Sequence, residues 1–247
     1  YVSDNNNNLS YNKSPDFNES YVDSVVQWTQ EAGIYCIIDW HVMNPGNPNH
    51  KAYERAPAFF DKISRKYKKK EHVLYEICNE PNGDNVNWDT IAQYANHIIR
   101  IIRKHSPKSV IIVGTPYWSQ HIEEVQPSKL KDTTNIMYAF DFYAGVHQSL
   151  YPTFIKEIHR LPVFSTEWAP CTNIGSGRNN FTVADKFLFA MGKHVDHGDT
   201  VMVSWCTFSF SDKQEEASCL LPFSCEEKHW NAMSETGEYV KRWLFEK

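Results

Sequence analysis

The 247-residue chain has no apolar run long enough to cross a bilayer as a helix, which takes about 20 residues. It has no Cys-x-x-Cys pair, and its eleven histidines show no His-Glu-x-x-His or other paired-ligand spacing. A metal site therefore has no support, and none is expected. No Gly-x-Gly-x-x-Gly follows an apolar strand, so nothing favours a dinucleotide fold, and no cofactor is expected. Basic residues are not clustered either. The net charge is −5, the isoelectric point is near 6.1, and the Lys66–Lys70 stretch reads as a solvated helix end. Nucleic acid and acidic membranes are not expected as partners. Tyr1 opens directly onto an Asn-rich loop without a signal-peptide pattern.

Six cysteines are present. Cys36, Cys78 and Cys206 lie in apolar runs, where a thiol behaves as a small hydrophobe, whereas Cys171, Cys219 and Cys225 fall in loop-like sequence. A Cys219–Cys225 loop disulfide is the minority reading. Apolar residues make up 41% and aromatics 14%, with eight tryptophans. That is enough for one large core, and a single domain over residues 1–247 is the simpler expectation. Most of the aromatic rings belong in that core by default. A surplus also suits sugar binding, because the apolar face of a pyranose stacks on a ring, and composition does not separate the two.

Two periodicities alternate along the chain. Val22, Val25, Val26 and Thr29 share a helical face that Gly33 ends. Helical spacing returns at Ala56–Tyr67, at Trp88–Ile102, briefly at Phe154–Ile158, at Val183–His194 and at Tyr239–Leu244. Between these lie apolar, β-rich runs at Ile34–Trp40, His72–Cys78, Val110–Val113, Ile136–Tyr143, Pro162–Trp168 and Val201–Phe208. Continuous apolar strands alternating with amphipathic helices predict a parallel sheet covered by helices. The candidates are an open doubly wound sheet and a (β/α)8 barrel.

The strands end in polar residues: Asp39 and His41, Asn79 and Glu80, Asp141 and Tyr143, Glu167 and Trp168, then Trp205 to Ser209. In a barrel these ends converge on the face that carries active sites. Two glutamates from different strands suit glycosidic bond cleavage, with one as nucleophile and the other as acid and then base, held about 5–5.5 Å apart in retaining enzymes. A single glutamate at a strand end could equally cap a helix or pair with a lysine. Two of them among this many polar strand ends favour chemistry.

Asp39-Trp40-His41, Asn79-Glu80-Pro81, Phe142-Tyr143-Ala144, Glu167-Trp168 and Ser204-Trp205 come in this order at spacings that resemble glycoside hydrolase family 5, in its bacterial endoglucanase branch. The resemblance implies a (β/α)8 barrel and an endo-acting, retaining enzyme that cleaves β-1,4-glucans. It makes Glu80 the acid/base and Glu167 the nucleophile. Asn79 would bond the sugar 2-hydroxyl, and Tyr143 would hold an oxygen of the nucleophile. His41 and His147 would line the cleft, and Trp118 would stack on the leaving-group side. Lys213 and Glu215 would grip a sugar two subsites away on the other side, and Tyr1 would border the cleft. Asp141, Trp205 and Phe208 fall among the substrate-contacting positions. Trp40, Trp88, Trp168 and Trp243 remain packing residues. The implied partner is a β-glucan or cello-oligosaccharide, and the implied protein is a secreted monomer.

Three features depart from the family pattern. Tyr1 falls at the end of the second strand, so the first strand, the first helix and most of the second strand are expected to be missing, together with an arginine that lowers the nucleophile's pKa. Six strands are not expected to close an eight-stranded barrel, which would leave strand edges and part of the core exposed. Asp141 stands where the family has histidine. An ionised carboxylate there should raise the nucleophile's pKa unless it pairs with a cation. Phe208 stands where tryptophan is usual; it keeps a stacking face but loses the indole N–H. These features motivate a second class of function, a carbohydrate-binding pseudoenzyme or inactive fragment. Within enzymes, the alternative substrates are mannan, xyloglucan and mixed-linkage glucan.

Overall fold

The computed structural model describes residues 2–3, 9–192, 194–196 and 199–245, of which 3, 194–196 and 199–200 are described by their backbone only. The chain divides into two compact units, residues 1–139 and residues 140–247.

The first unit holds five strands that follow one another across a parallel sheet in chain order: β1 Val2–Ser3, β2 Cys36–His41, β3 Val73–Glu76, β4 Ile111–Val113 and β5 Ile136–Ala139. Parallel neighbours need crossovers. Helix α1 (Pro15–Ala32) lies between β1 and β2, α2 (Ala56–Lys66) between β2 and β3, and α3 (Trp88–Arg103) between β3 and β4. Helix α1 starts at Pro15, where a fixed φ suits the first turn, and Gly33 ends it as the sequence implies. In α3 the apolar stripe Trp88, Ile91, Ala95, Ile98 and Ile102 is buried, and the Asn87 side chain caps the N-terminus by accepting the Thr90 amide. Fully buried Trp40, Phe59 and Phe60 form the aromatic floor, with Trp40 and Phe59 centroids 5.2 Å apart. Strand β1 reaches only Trp40 and His41, so Cys36–Asp39 have no strand beside them on that edge among the described residues. Phe17 and Tyr21 of α1 are exposed.

The second unit contains β6 (Phe142–Tyr143), β7 (Val163–Ala169) and β10 (Ser204–Thr207), which pair in parallel, with β7 in the middle. A hairpin of β8 (His194–Asp196) and β9 (Asp199–Val201) stands apart from them. Of the helices α5 (Tyr151–Glu157), α6 (Phe181–Gly192) and α8 (Glu235–Phe245), α6 supplies Phe187, which stacks on Phe142 at 4.2 Å; Phe142 in turn lies nearly parallel to Trp168. Single helical turns lie at Pro116–Ser119 (α4) in the first unit and at Ser224–Glu227 (α7) in the second.

The structure differs from the sequence reading in the bounds of three elements, one of them the run Val201–Phe208, which splits into Val201 at the end of β9 and Ser204–Thr207 as β10. The run Ile136–Tyr143 is not one strand: it divides into Ile136–Ala139 and Phe142–Tyr143, with Phe140, whose amide donates to Phe164 O at 3.0 Å, and Asp141 between. The helix expected to reach His194 stops at Gly192, and His194 opens the hairpin. All six cysteines are free thiols. Cys219 is buried and Cys225 is exposed, so the loop disulfide does not form. Burial pushes the Cys171 and Cys219 thiols up to about 11, making them packing groups rather than nucleophiles.

Candidate active site

Strand β2 ends in Asp39-Trp40-His41. The two-residue repeat of a strand sends Trp40 to one face and Asp39 and His41 to the other. Trp40 is fully buried in the core, while His41 Nδ1 lies 2.8 Å from Asp39 Oδ2. That contact holds the ring through Nδ1 and turns Nε2 away from Asp39.

Beyond β3 the backbone stays in the sheet as far as Asn79, whose amide donates to Trp40 O at 3.2 Å. The chain then turns at Glu80, which has φ 41, a region that side chains other than glycine seldom adopt. Two bonds hold the turn: Asn82 Nδ2 donates to Glu80 O at 2.8 Å, and the Trp118 amide donates to Pro81 O at 3.1 Å. Gly114 makes room for it, because a Cβ there would stand 2.3 Å from Cys78 O and 2.5 Å from Pro81 Cδ. Asn79 and Glu80 are both buried, and Asn79 Nδ2 has no hydrogen-bond partner among the described residues. Trp118, 38% exposed, sits on a turn in which Tyr117, Trp118 and Ser119 all have positive φ.

In the second unit, Glu167 lies near the end of β7 and is held from two directions. Tyr143 of β6 donates its hydroxyl to Glu167 Oε1 at 2.5 Å. Asp141 Oδ1 accepts the Glu167 amide at 2.8 Å and the Thr166 hydroxyl at 3.0 Å. The Tyr143 amide donates to His147 Nδ1 at 3.0 Å. That nitrogen must therefore be unprotonated, leaving the proton on Nε2. Burial lowers the pKa of His147 and so favours this neutral form.

Phe208 follows β10. Its amide donates to Trp168 O at 2.8 Å, and its ring packs against the buried cluster of Tyr143, Ala169, Cys171 and Ala217. The peptide bond from Phe208 to Ser209 is cis. Trp205 is half-buried and meets Trp168 edge-on at 5.5 Å. Lys213 Nζ stands 5.6 Å from the Phe208 ring centroid and 3.7 Å from Glu215 Oε1. Gly175, at φ 76, lets Glu215 approach, since a Cβ there would meet Glu215 Oε2 at 3.0 Å.

Within the first unit the structure thus joins Asp39 to His41, and Asn79-Glu80-Pro81 to the Trp118 turn. Within the second it gathers Asp141, Tyr143, His147 and Glu167, and sets Lys213 near both the Phe208 ring and Glu215. Trp40, Trp88 and Trp168 are core residues. Tyr1 lies outside the described residues. Sequence reasoning left three contributors without a role: Asp39, Thr166, and the hydroxyl chain Ser209–Ser211–Ser218 (2.8 and 2.9 Å) that braces the loop after β10. Asp39 could have been found from its two-residue spacing to His41; nothing in the sequence points to the other two.

The family model described as Cellulase (glycosyl hydrolase family 5) matches residues 1–214. Endoglucanase E-5 of Thermobifida fusca is 38% identical over 200 residues, which cover 78% of this chain and 41% of that protein. Endoglucanase A of Evansella cellulosilytica is 36% identical over 236 residues, covering 94% of this chain and 46% of that protein. The chain spans about half the length of the curated relatives it matches. Among solved structures, Cellulase Cel5C_n superposes with a TM-score of 0.86 at 36% identity, covering 98% of this chain and 72% of that one. The catalytic domain of Thermobifida fusca endoglucanase Cel5A in complex with cellotetraose gives 0.87 at 30% identity, covering 98% and 79%. These matches show the fold class, part of a (β/α)8 barrel.

Proposed function

The chain belongs to glycosyl hydrolase family 5, and from that premise we propose that residues 1–247 form one catalytic domain that hydrolyses internal β-1,4-glucosidic bonds by double displacement. The observation that carries this reading is the hold on Glu167. A phenol hydroxyl 2.5 Å from Oε1 fixes one carboxylate oxygen and stabilises its charge, while a backbone bond to Asp141 fixes the strand beneath it. A carboxylate held so firmly suits a nucleophile that must attack one carbon along one line.

Glu167 attacks the anomeric carbon, and the glycosidic oxygen departs with the proton of Glu80. Water, deprotonated by Glu80, then releases the sugar with its original configuration. Asn79 offers its buried Nδ2–H to the sugar 2-hydroxyl, a bond that strengthens in the transition state. His147 presents an Nε2–H donor, and His41, held by Asp39, presents its Nε2 to sugar hydroxyls. Trp118 and Phe208 supply apolar faces, and Lys213 and Glu215 bond a more distant sugar. Support for a glucan substrate comes from the cellotetraose bound to the related Thermobifida fusca domain. A polymer of this kind cannot enter a cell, so we place the protein outside it, as a monomer.

The test is the anomeric form of the first product from a soluble β-1,4-glucan, followed by proton NMR, with mannan, xyloglucan and mixed-linkage glucan run in parallel. The β-anomer should appear first, and the β-1,4-glucan should be cleaved fastest. First release of the α-anomer would remove Glu167 as nucleophile, and faster cleavage of another polymer would reassign the substrate.

A further inference from the structure

The turn at Tyr117–Ser119 is costly and well secured. Its three residues have φ of 58, 57 and 55, and none is glycine. Such backbone persists only where its surroundings hold it. Here Ser119 donates its amide to Thr115 O at 3.1 Å, and His121 donates to Pro116 O at 3.1 Å. Trp118 donates to Pro81 O, one residue beyond Glu80. Thr115, just before the turn, and Ser119, at its end, are completely buried.

What the turn achieves is to set two aromatic rings side by side in solvent. Tyr117 is 54% exposed, more than Trp118. Burial therefore does not explain why a large ring stands there. The ring is nonetheless fixed: His121 lies against it at 4.6 Å with a 35° tilt, and Glu124 Oε1 lies 3.3 Å from His121 Nδ1. Tyr117 and Trp118 meet at 4.9 Å with their planes 83° apart. One pyranose cannot lie flat on two perpendicular rings. If Trp118 takes one sugar, Tyr117 is left to take another.

We propose that Tyr117, braced by His121, is a second stacking platform for a β-glucan. It binds the sugar one unit further from the scissile bond than the sugar on Trp118, on the leaving-group side. This rests on the glucanase reading and adds a residue to it. Tyr117 does no chemistry; it raises the affinity for chains long enough to reach it.

The experiment compares cellotriose with cellohexaose, in turnover by the active chain and in calorimetric binding to Glu167→Ala, with and without Tyr117→Ala. Removing the ring should lower kcat/KM and affinity for cellohexaose roughly fivefold to tenfold, the scale of one aromatic contact, and leave cellotriose within about twofold. Tyr117→Trp should restore the long-chain advantage. Equal losses at both lengths would overturn the proposal and make Tyr117 a prop for Trp118. So would no loss at either length while both variants keep the parent melting temperature. If the active chain turns over neither sugar, the glucanase reading falls. The platform then stands on a length-dependent loss of binding and falls without one.

Discussion

Asp141 accepts the backbone N–H of Glu167 at 2.8 Å through Oδ1. The same oxygen takes the Thr166 hydroxyl at 3.0 Å. The carboxylate at this position therefore seats the strand that carries the proposed nucleophile. Asparagine offers the same acceptor, whereas alanine leaves the Glu167 amide without it. Asp141→Asn should keep kcat within about threefold, while Asp141→Ala should lose about ten- to a hundredfold in kcat with little change in KM and cost about 1–3 kcal/mol of stability. Steady-state kinetics and thermal melts check this. Equal losses in both variants would mean that the charge, not the acceptor, matters.

Tyr143 donates its hydroxyl to the Glu167 carboxylate at 2.5 Å. Tyr143→Phe removes one hydrogen bond to a charged group, worth about 1.5–3 kcal/mol, so kcat should fall roughly ten- to a hundredfold. The ring stays to pack against Phe208 and Ala169, so the melting temperature should hold. A variant with unchanged kcat would show that the 2.5 Å contact has no part in turnover.

Histidine 147 gives the chain a sensitivity to acid. Burial lowers its pKa, and its Nδ1 must be unprotonated to accept the Tyr143 amide. The sign follows from linkage: above the unfolded value near 6.5 both states hold neutral histidine and nothing is lost. As pH falls below that value the unfolded chain takes up the proton more readily, and stability drops until the lowered folded pKa is passed. His147→Asn keeps an acceptor and does not titrate. Its melting temperature should fall less than that of the parent chain between pH 7 and pH 5. Parallel curves would exclude the effect.

Much of this arrangement was legible in the chain. The stripe from Trp88 to Ile102 and the apolar runs at Cys36 and Val73 fixed the positions of helices and strands, because one-sided burial imposes a period that survives any tertiary context. The polar strand ends pointed to Glu80 and Glu167. The partners of Glu167 were not legible, since the bond to Asp141 depends on where β6 begins and how it registers on β7, and spacing along one strand carries neither. The break at Phe140 and Asp141 was hidden because apolar residues flank Asp141 on both sides. The left-handed turn at Tyr117 was hidden because no glycine announces it.

Gly114 should tolerate no side chain. A Cβ 2.3 Å from Cys78 O and 2.5 Å from Pro81 Cδ must push the Asn79–Pro81 segment aside, and neither neighbour can rotate away. Gly114→Ala should cost about 1–3 kcal/mol, as overpacking does, and should lower kcat further than its melting temperature explains. A folded Gly114→Ala chain with parent activity would show that Glu80 does not depend on this packing.

The most direct test of the central claim is reducing-end release from a soluble β-1,4-glucan by residues 1–247, beside Glu167→Ala and Glu80→Gln. The parent chain should release sugar, Glu167→Ala none, and Glu80→Gln should keep a residual rate without the basic limb of a bell-shaped pH profile. A folded parent chain that binds cello-oligosaccharide yet releases nothing, or release that persists in Glu167→Ala, would contradict that claim.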